Sequence, residues 1–208
     1  MLRRIGAGAT VVGVWSVAAF VATALAASEP KDSAVDGSVG GSIDGQWHTQ
    51  KLEFSYSGFT TLYTCDGLEE KVRDILLAFG ARKSDVKVRA TGCAMGDNRP
   101  SRFAWVNAEY SALTPSVAGA GASGGVAAAA GALPGASTVQ GKWATVDIAP
   151  NRPFYMGDGD CELIEQMRDV LRKGFSLRSA DFKATCTPHQ ITMASYHLKA
   201  EVLKPLAP

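Results

Sequence analysis

Apolar and polar side chains alternate along residues 51–57, which places Leu52, Phe54 and Tyr56 on one face and Lys51, Glu53 and Ser55 on the other. That period predicts a half-buried strand. The period then changes. Leu68, Val72, Ile75, Leu76 and Phe79 recur at helical spacing behind Asp66, an N-cap residue type, and Gly80 supplies a C-terminal stop. Alternation returns with Val86, Val88 and Ala90 set against Lys87, Arg89 and Thr91. Turn residues at 96–100 lead into a last strand over 103–113. The same order follows further on: a strand over 144–149, a helix from about Glu162 to Lys173 burying Ile164, Met167, Val170 and Leu171, then strands over 180–186 and 192–203.

The two series also share residues. Each helix is opened by a cysteine, Cys65 or Cys161, and carries Arg-Asp in its middle, Arg73-Asp74 or Arg168-Asp169. Ala90-Thr91-Gly92-Cys93 is echoed by Ala184-Thr185-Cys186. The expected fold class is therefore α+β, a tandem duplication of a βαββ module, each copy with a helix on one face of a small sheet and one disulfide of its own. Four cysteines allow three pairings, and the repeat selects Cys65–Cys93 with Cys161–Cys186. Cys186 shares strand parity with Phe182 and Ala184, whereas Cys93 falls out of parity with Val86, Val88 and Ala90. A bulge at Gly92 would restore it.

Residues 1–26 have the form of a signal peptide: Arg3 and Arg4, an apolar stretch, and Ala24-Leu25-Ala26 at the cleavage positions. Leu-Arg-Arg-Ile-Gly matches the twin-arginine pattern poorly, no lipoprotein cysteine follows, and an uncleaved anchor helix is the alternative. Residues 27–45, rich in Ser, Gly, Asp and Lys, read as a disordered leader. The Ala/Gly-rich residues 114–141 read as a linker between a first module at 46–113 and a second at 142–208. The expected compartment is periplasmic or secreted, where disulfides persist.

Removing Arg3 and Arg4 from the 21 basic residues leaves 19 against 20 acidic ones, a charge of −1. This balance predicts no nucleic-acid binding and no membrane contact beyond the signal peptide. The cysteine spacings of 28 and 25 suit neither a redox Cys-x-x-Cys nor zinc, and no metal or other cofactor is expected. Gly121-Ala-Ser123-Gly-Gly125 and Gly119-Ala-Gly121-Ala-Ser-Gly124 match hydrolase and dinucleotide patterns inside a Gly/Ala tract that lacks the strand-to-helix context either one needs. Asp158, Asp160 and Glu162 lack the rest of a calcium loop and read as acids favoured at a helix N-terminus.

The candidate site lies on the last strands. Phe103, Trp105, Asn107 and Glu109 share the face turned away from the helix, together with Lys87 and Arg89, and His197 takes the corresponding place in the second copy. Arg89, Phe103, Trp105, Glu109 and His197 thus form a candidate binding set for a protein or small ligand at an exposed sheet face. The competing reading is that Phe103 and Trp105 pack the two modules together. With no recurring catalytic set, the expected role is a non-catalytic binding, adaptor or envelope-associated protein. The alternative is a hydrolase or isomerase with an acid–base site between the modules, using His197 with Glu109 or Glu201.

Overall fold

The computed structural model describes residues 41–93, 99–116 and 138–206, and the segments predicted as signal peptide, most of the leader and most of the linker lie outside them. Six strands form one antiparallel sheet: β1 (Ile43–Ser57), β2 (Lys87–Thr91), β3 (Phe103–Pro115), β4 (Val139–Ile148), β5 (Leu177–Thr187) and β6 (Gln190–Pro205). The spatial order is β2-β3-β1-β4-β6-β5. Helix α1 (Cys65–Ala78) falls between β1 and β2 in the chain, and α2 (Cys161–Gly174) between β4 and β5. The fold is α+β. Both predicted bridges are present, Cys65–Cys93 and Cys161–Cys186, each joining the first residue of a helix to the end of the following strand segment.

The helices form where the apolar spacing places them, and their ends correct the sequence reading in part. Thr64, not Asp66, caps α1: its hydroxyl accepts from the Gly67 N–H at 3.1 Å. At the other end Gly80 has φ +93°, and the Gly80 and Ala81 N–H groups bond back to Leu77 and Leu76, as in a Schellman motif. Gly92 also has positive φ, at +83°, but it follows the last residue of β2 instead of bulging its ladder. Irregular pairing occurs instead in β5, between Leu177 and Ser179 and, beside Cys186, between Thr185 and Thr187.

Two further corrections follow from β1 and β4. β1 begins at Ile43, inside the expected leader. β3 runs to Pro115 and β4 begins at Val139, so strands occupy both ends of the expected linker. These extensions make the seam of the sheet, where Ile43, Asp44 and Gly45 pair with Gly141, Gln140 and Val139. Glycine is required there by close approach. A Cβ on Gly45 would lie 2.9 Å from Leu113 Cγ, and one on Gly141 would lie 2.8 Å from Leu113 Cδ2 and 3.0 Å from Leu203 Cδ1. Leu113 and Leu203 are buried although they belong to the face away from the helices. The Arg82 and Arg178 guanidinium groups lie over the nearby Trp47 and Trp143 rings.

On the helix face a single apolar core runs through both halves, from Leu52, Tyr56, Leu68 and Ile75 to Ile148, Ile164, Met167 and Leu198. Phe79 of the first half meets Phe175 and Phe182 of the second, with ring centroids 5.4 and 6.0 Å apart. Beyond the seam β1 leaves β4, and α2 satisfies the freed β1 edge. The Gln166 side chain accepts from the Ser57 N–H and donates to the Ser57 carbonyl, both at 2.9 Å. Glu162, only 5% exposed, accepts from the Phe59 and Thr60 N–H groups at 2.9 and 3.0 Å.

Candidate functional site

The strand register turns the outer face of β1, β3 and β2 into a grid. Lys51 and Lys87 flank Glu109, Glu53 and Arg89 flank Asn107, Ser55 and Thr91 flank Trp105, and Ser57 lies beside Phe103. The face is therefore charged at one end and aromatic with hydroxyl neighbours at the other. Its exposure follows from alternation along β3, where Ala104, Val106 and Ala108 turn inward to the helices. Phe103 is 62% and Trp105 65% exposed, so neither side chain serves as packing between the halves. Other large apolar side chains are also open, Tyr155 at 76% and Phe59 at 49%, but Phe103 and Trp105 share one face of a single strand.

The structure brings Arg89, Phe103, Trp105 and Glu109 onto one continuous surface. It does not bring His197 there, because β1 and β4 intervene between β3 and β6. The expected pairing of His197 with Glu109 or Glu201 is corrected for the same reason. Glu109 is three strands away, and Glu201 lies four residues along the same strand opposite Thr145, about 13 Å distant. The carboxylate that meets His197 is Asp147, with Nε2 3.1 Å from Oδ1. Arg152 Nη1 also lies 3.6 Å from Asp147, and Lys199 pairs across from it in the ladder. Asp147 is half-exposed, with two close basic side chains and a third one strand away, an arrangement typical of an open protein surface.

Sequence reasoning missed a second polar constellation. Asp160, 5% exposed, precedes α2, but its carboxylate does not cap that helix. It accepts from the Gly157 N–H, the Lys71 ammonium at 3.0 Å and the Tyr63 hydroxyl. Burial, followed by the Asp160 charge, pushes the Tyr63 hydroxyl well above the ordinary tyrosine range, so it stays a donor. The Lys71 ammonium also donates to the Tyr155 carbonyl and lies 4.8 Å from that ring's centroid. Every member of the set has its partner within the fold, so the cluster fastens α1 to the start of α2. Glu69 of α1 accepts from the Ala90 N–H of edge strand β2, and Arg168 of α2 lies 3.6 Å from Asp169.

Among the described residues no group of three or more His, Cys, Asp or Glu side chains could hold a metal ion, and no helix is long and apolar enough to cross a membrane. Two disulfides with no free cysteine are compatible with an extracytoplasmic, disulfide-stabilised protein. Compared with known proteins, the chain matches no family model, no curated protein and no solved structure.

Proposed function

We propose that this is an exported, non-catalytic binding protein of the cell envelope whose recognition surface is the outer face of β3 with its neighbours β1 and β2. The observation that carries the reading is the open Phe103–Trp105 pair, on one face of β3 and 62% and 65% exposed. Aromatic side chains supply large contact area at low entropy cost, which is why they anchor recognition surfaces. Arg89 and Glu109 border the pair and would set orientation and selectivity. The buried carboxylates of Asp160 and Glu162 are engaged in structural contacts, and His197 meets Asp147.

The architecture is, on this reading, the product of a tandem duplication. Each half runs strand, helix, strand, strand, and each contributes three neighbouring strands, β2-β3-β1 and β4-β6-β5, with its first strand at the seam. Gly45-Gln-Trp47 answers Gly141-Lys-Trp143, and Leu113-Thr-Pro115 answers Leu203-Lys-Pro205. The copies would have diverged on the outer face, where Trp105 and Asn107 stand in the first half and Ser195 and His197 in the second.

The test is retention of purified protein, lacking residues 1–26, on cell-envelope material from the producing organism. Wild type should co-sediment with it, and Trp105→Ala and Phe103→Ala should each lose at least about tenfold in retention. Equal retention of both variants removes this face as the recognition surface.

A further inference from the structure

The grading of the face from charged to aromatic narrows the class of ligand. Building on the recognition face described above, we propose that it binds an acidic polysaccharide, with pyranose rings lying on Trp105 and Phe103 and a sugar carboxylate held by Arg89 and Asn107.

The aromatic end has the chemistry of a sugar platform. One side of a pyranose presents C–H groups, which pack against the electron-rich face of an aromatic ring. Its rim carries hydroxyls that must find donors and acceptors. Ser55 and Thr91 lie to either side of Trp105, and Ser57 lies beside Phe103, each one strand away, about 4.8 Å. Hydroxyl groups both donate and accept, and so match a ring of sugar hydroxyls. A protein-binding anchor is instead ringed by contacts that exclude water. Gly92 adds to the platform. A Cβ there would sit 3.4 Å from Trp105 Cδ1, so at Gly92 bare backbone lies beside the indole.

The carboxylate site follows from the next rung. Lys87 is paired across the ladder with Glu109, whereas Arg89 is paired with the uncharged Asn107. Among the described residues Arg89 makes no ion pair within 4.0 Å, and its side chain is exposed. A guanidinium in this state offers two parallel N–H bonds to a carboxylate, with the Asn107 amide as a further donor. The Arg89–Asn107 rung lies two residues along the strands from Trp105, about 6.8 Å, the scale of the step from one sugar unit to the next. Glu53 stands on the far side of Asn107 on the same rung, so the sugar carboxylate is placed at the Arg89 edge of the face, and an acid lacking a ring face would leave Trp105 bare.

The experiment titrates the protein with short oligosaccharides of galacturonate, alginate and hyaluronan, and with methyl-esterified oligogalacturonate as the neutral control. Binding is followed by the NMR signals of the Trp105 indole and the Arg89 side chain. At least one acidic oligosaccharide should shift both signals, and the ester should bind at least about tenfold more weakly than oligogalacturonate if that is the acid bound. Arg89→Gln should cut acidic binding by at least about tenfold, and Trp105→Ala should do the same. Failure of all three acidic probes, equal binding of the ester and oligogalacturonate, or unchanged binding in either variant overturns the inference. If the probes fail while retention on envelope material still depends on Trp105, the recognition face stands and the ligand class is wrong. If neither depends on Trp105, both fail.

Discussion

The Tyr63 hydroxyl donates to Asp160, a carboxylate 97 residues further along the chain, and the other oxygen of that carboxylate is held by Lys71 at 3.0 Å. This contact ties the segment before α1, and α1 itself, to the start of α2, and so predicts that the two halves unfold as one unit. Asp160→Ala leaves the Lys71 ammonium without its counter-charge and the Tyr63 hydroxyl without its acceptor. The expected loss is about 3–5 kcal/mol, as for one partner removed from a buried pair. Denaturant unfolding checks it, and wild type should unfold in a single transition. A loss below about 1 kcal/mol, or two separate transitions in wild type, contradicts the interlocked account.

Asp85 gives a pH-dependent prediction. Hydrogen bonds from Ser111, then Ser84, hold its carboxyl below the ordinary aspartate value of 3.8, with Arg82 assisting. A carboxylate lowered on folding stabilises the fold fully above its unfolded value, and that contribution disappears as pH falls through the lower folded value. Ser111→Ala should therefore raise the Asp85 midpoint in an NMR titration of its carboxyl. An unchanged midpoint would show that the 2.6 Å Ser111–Asp85 bond does not set it.

The seam predicts an intolerance to small additions. Gly141→Ala puts a methyl group 2.8 Å from Leu113, 3.0 Å from Leu203 and 3.1 Å from the Lys204 carbonyl oxygen, and the backbone atom cannot rotate away. It should cost about 1–3 kcal/mol by overpacking, read in thermal or denaturant unfolding. A neutral effect would mean that the β1–β4 junction is looser than these distances.

Each disulfide closes a loop of 28 or 25 residues. Replacing either pair by serines should lower stability by about 3.5 kcal/mol on the chain-entropy model. Denaturant unfolding of the two paired variants measures it, and near-wild-type stability in both would contradict a stapling role.

The core elements were legible because their periods are clean. Alternation at Leu52, Phe54 and Tyr56 and helical spacing from Leu68 to Phe79 each point to one buried face. The first half of β1 was not legible because Gln46, His48 and Gln50 occupy the parity of Leu52, which breaks the alternation. The Gly-x-Trp repeat at Gly45 and Gly141 was readable in the sequence and would have extended both strands. The exposed face of β3 was legible from parity alone. Its neighbours were not, since Ser55 and Thr91 flank Trp105 only through strand register. Register likewise gives His197 its partner Asp147 from a strand 50 residues earlier. The acids before α2 suggested a cap, and only the tertiary fold shows Asp160 and Glu162 turned toward Tyr63, Phe59 and Thr60.

The account rests on Trp105 being a recognition side chain and not a packing one, and thermal melting of Trp105→Ala tests this most directly. Removing an exposed side chain changes stability by about 0.5 kcal/mol or less, so the melting temperature should stay within about 2 °C of wild type. A fall of about 6 °C or more, the mark of a core cavity in a chain of this size, would show that Trp105 holds the fold together and would withdraw the recognition face.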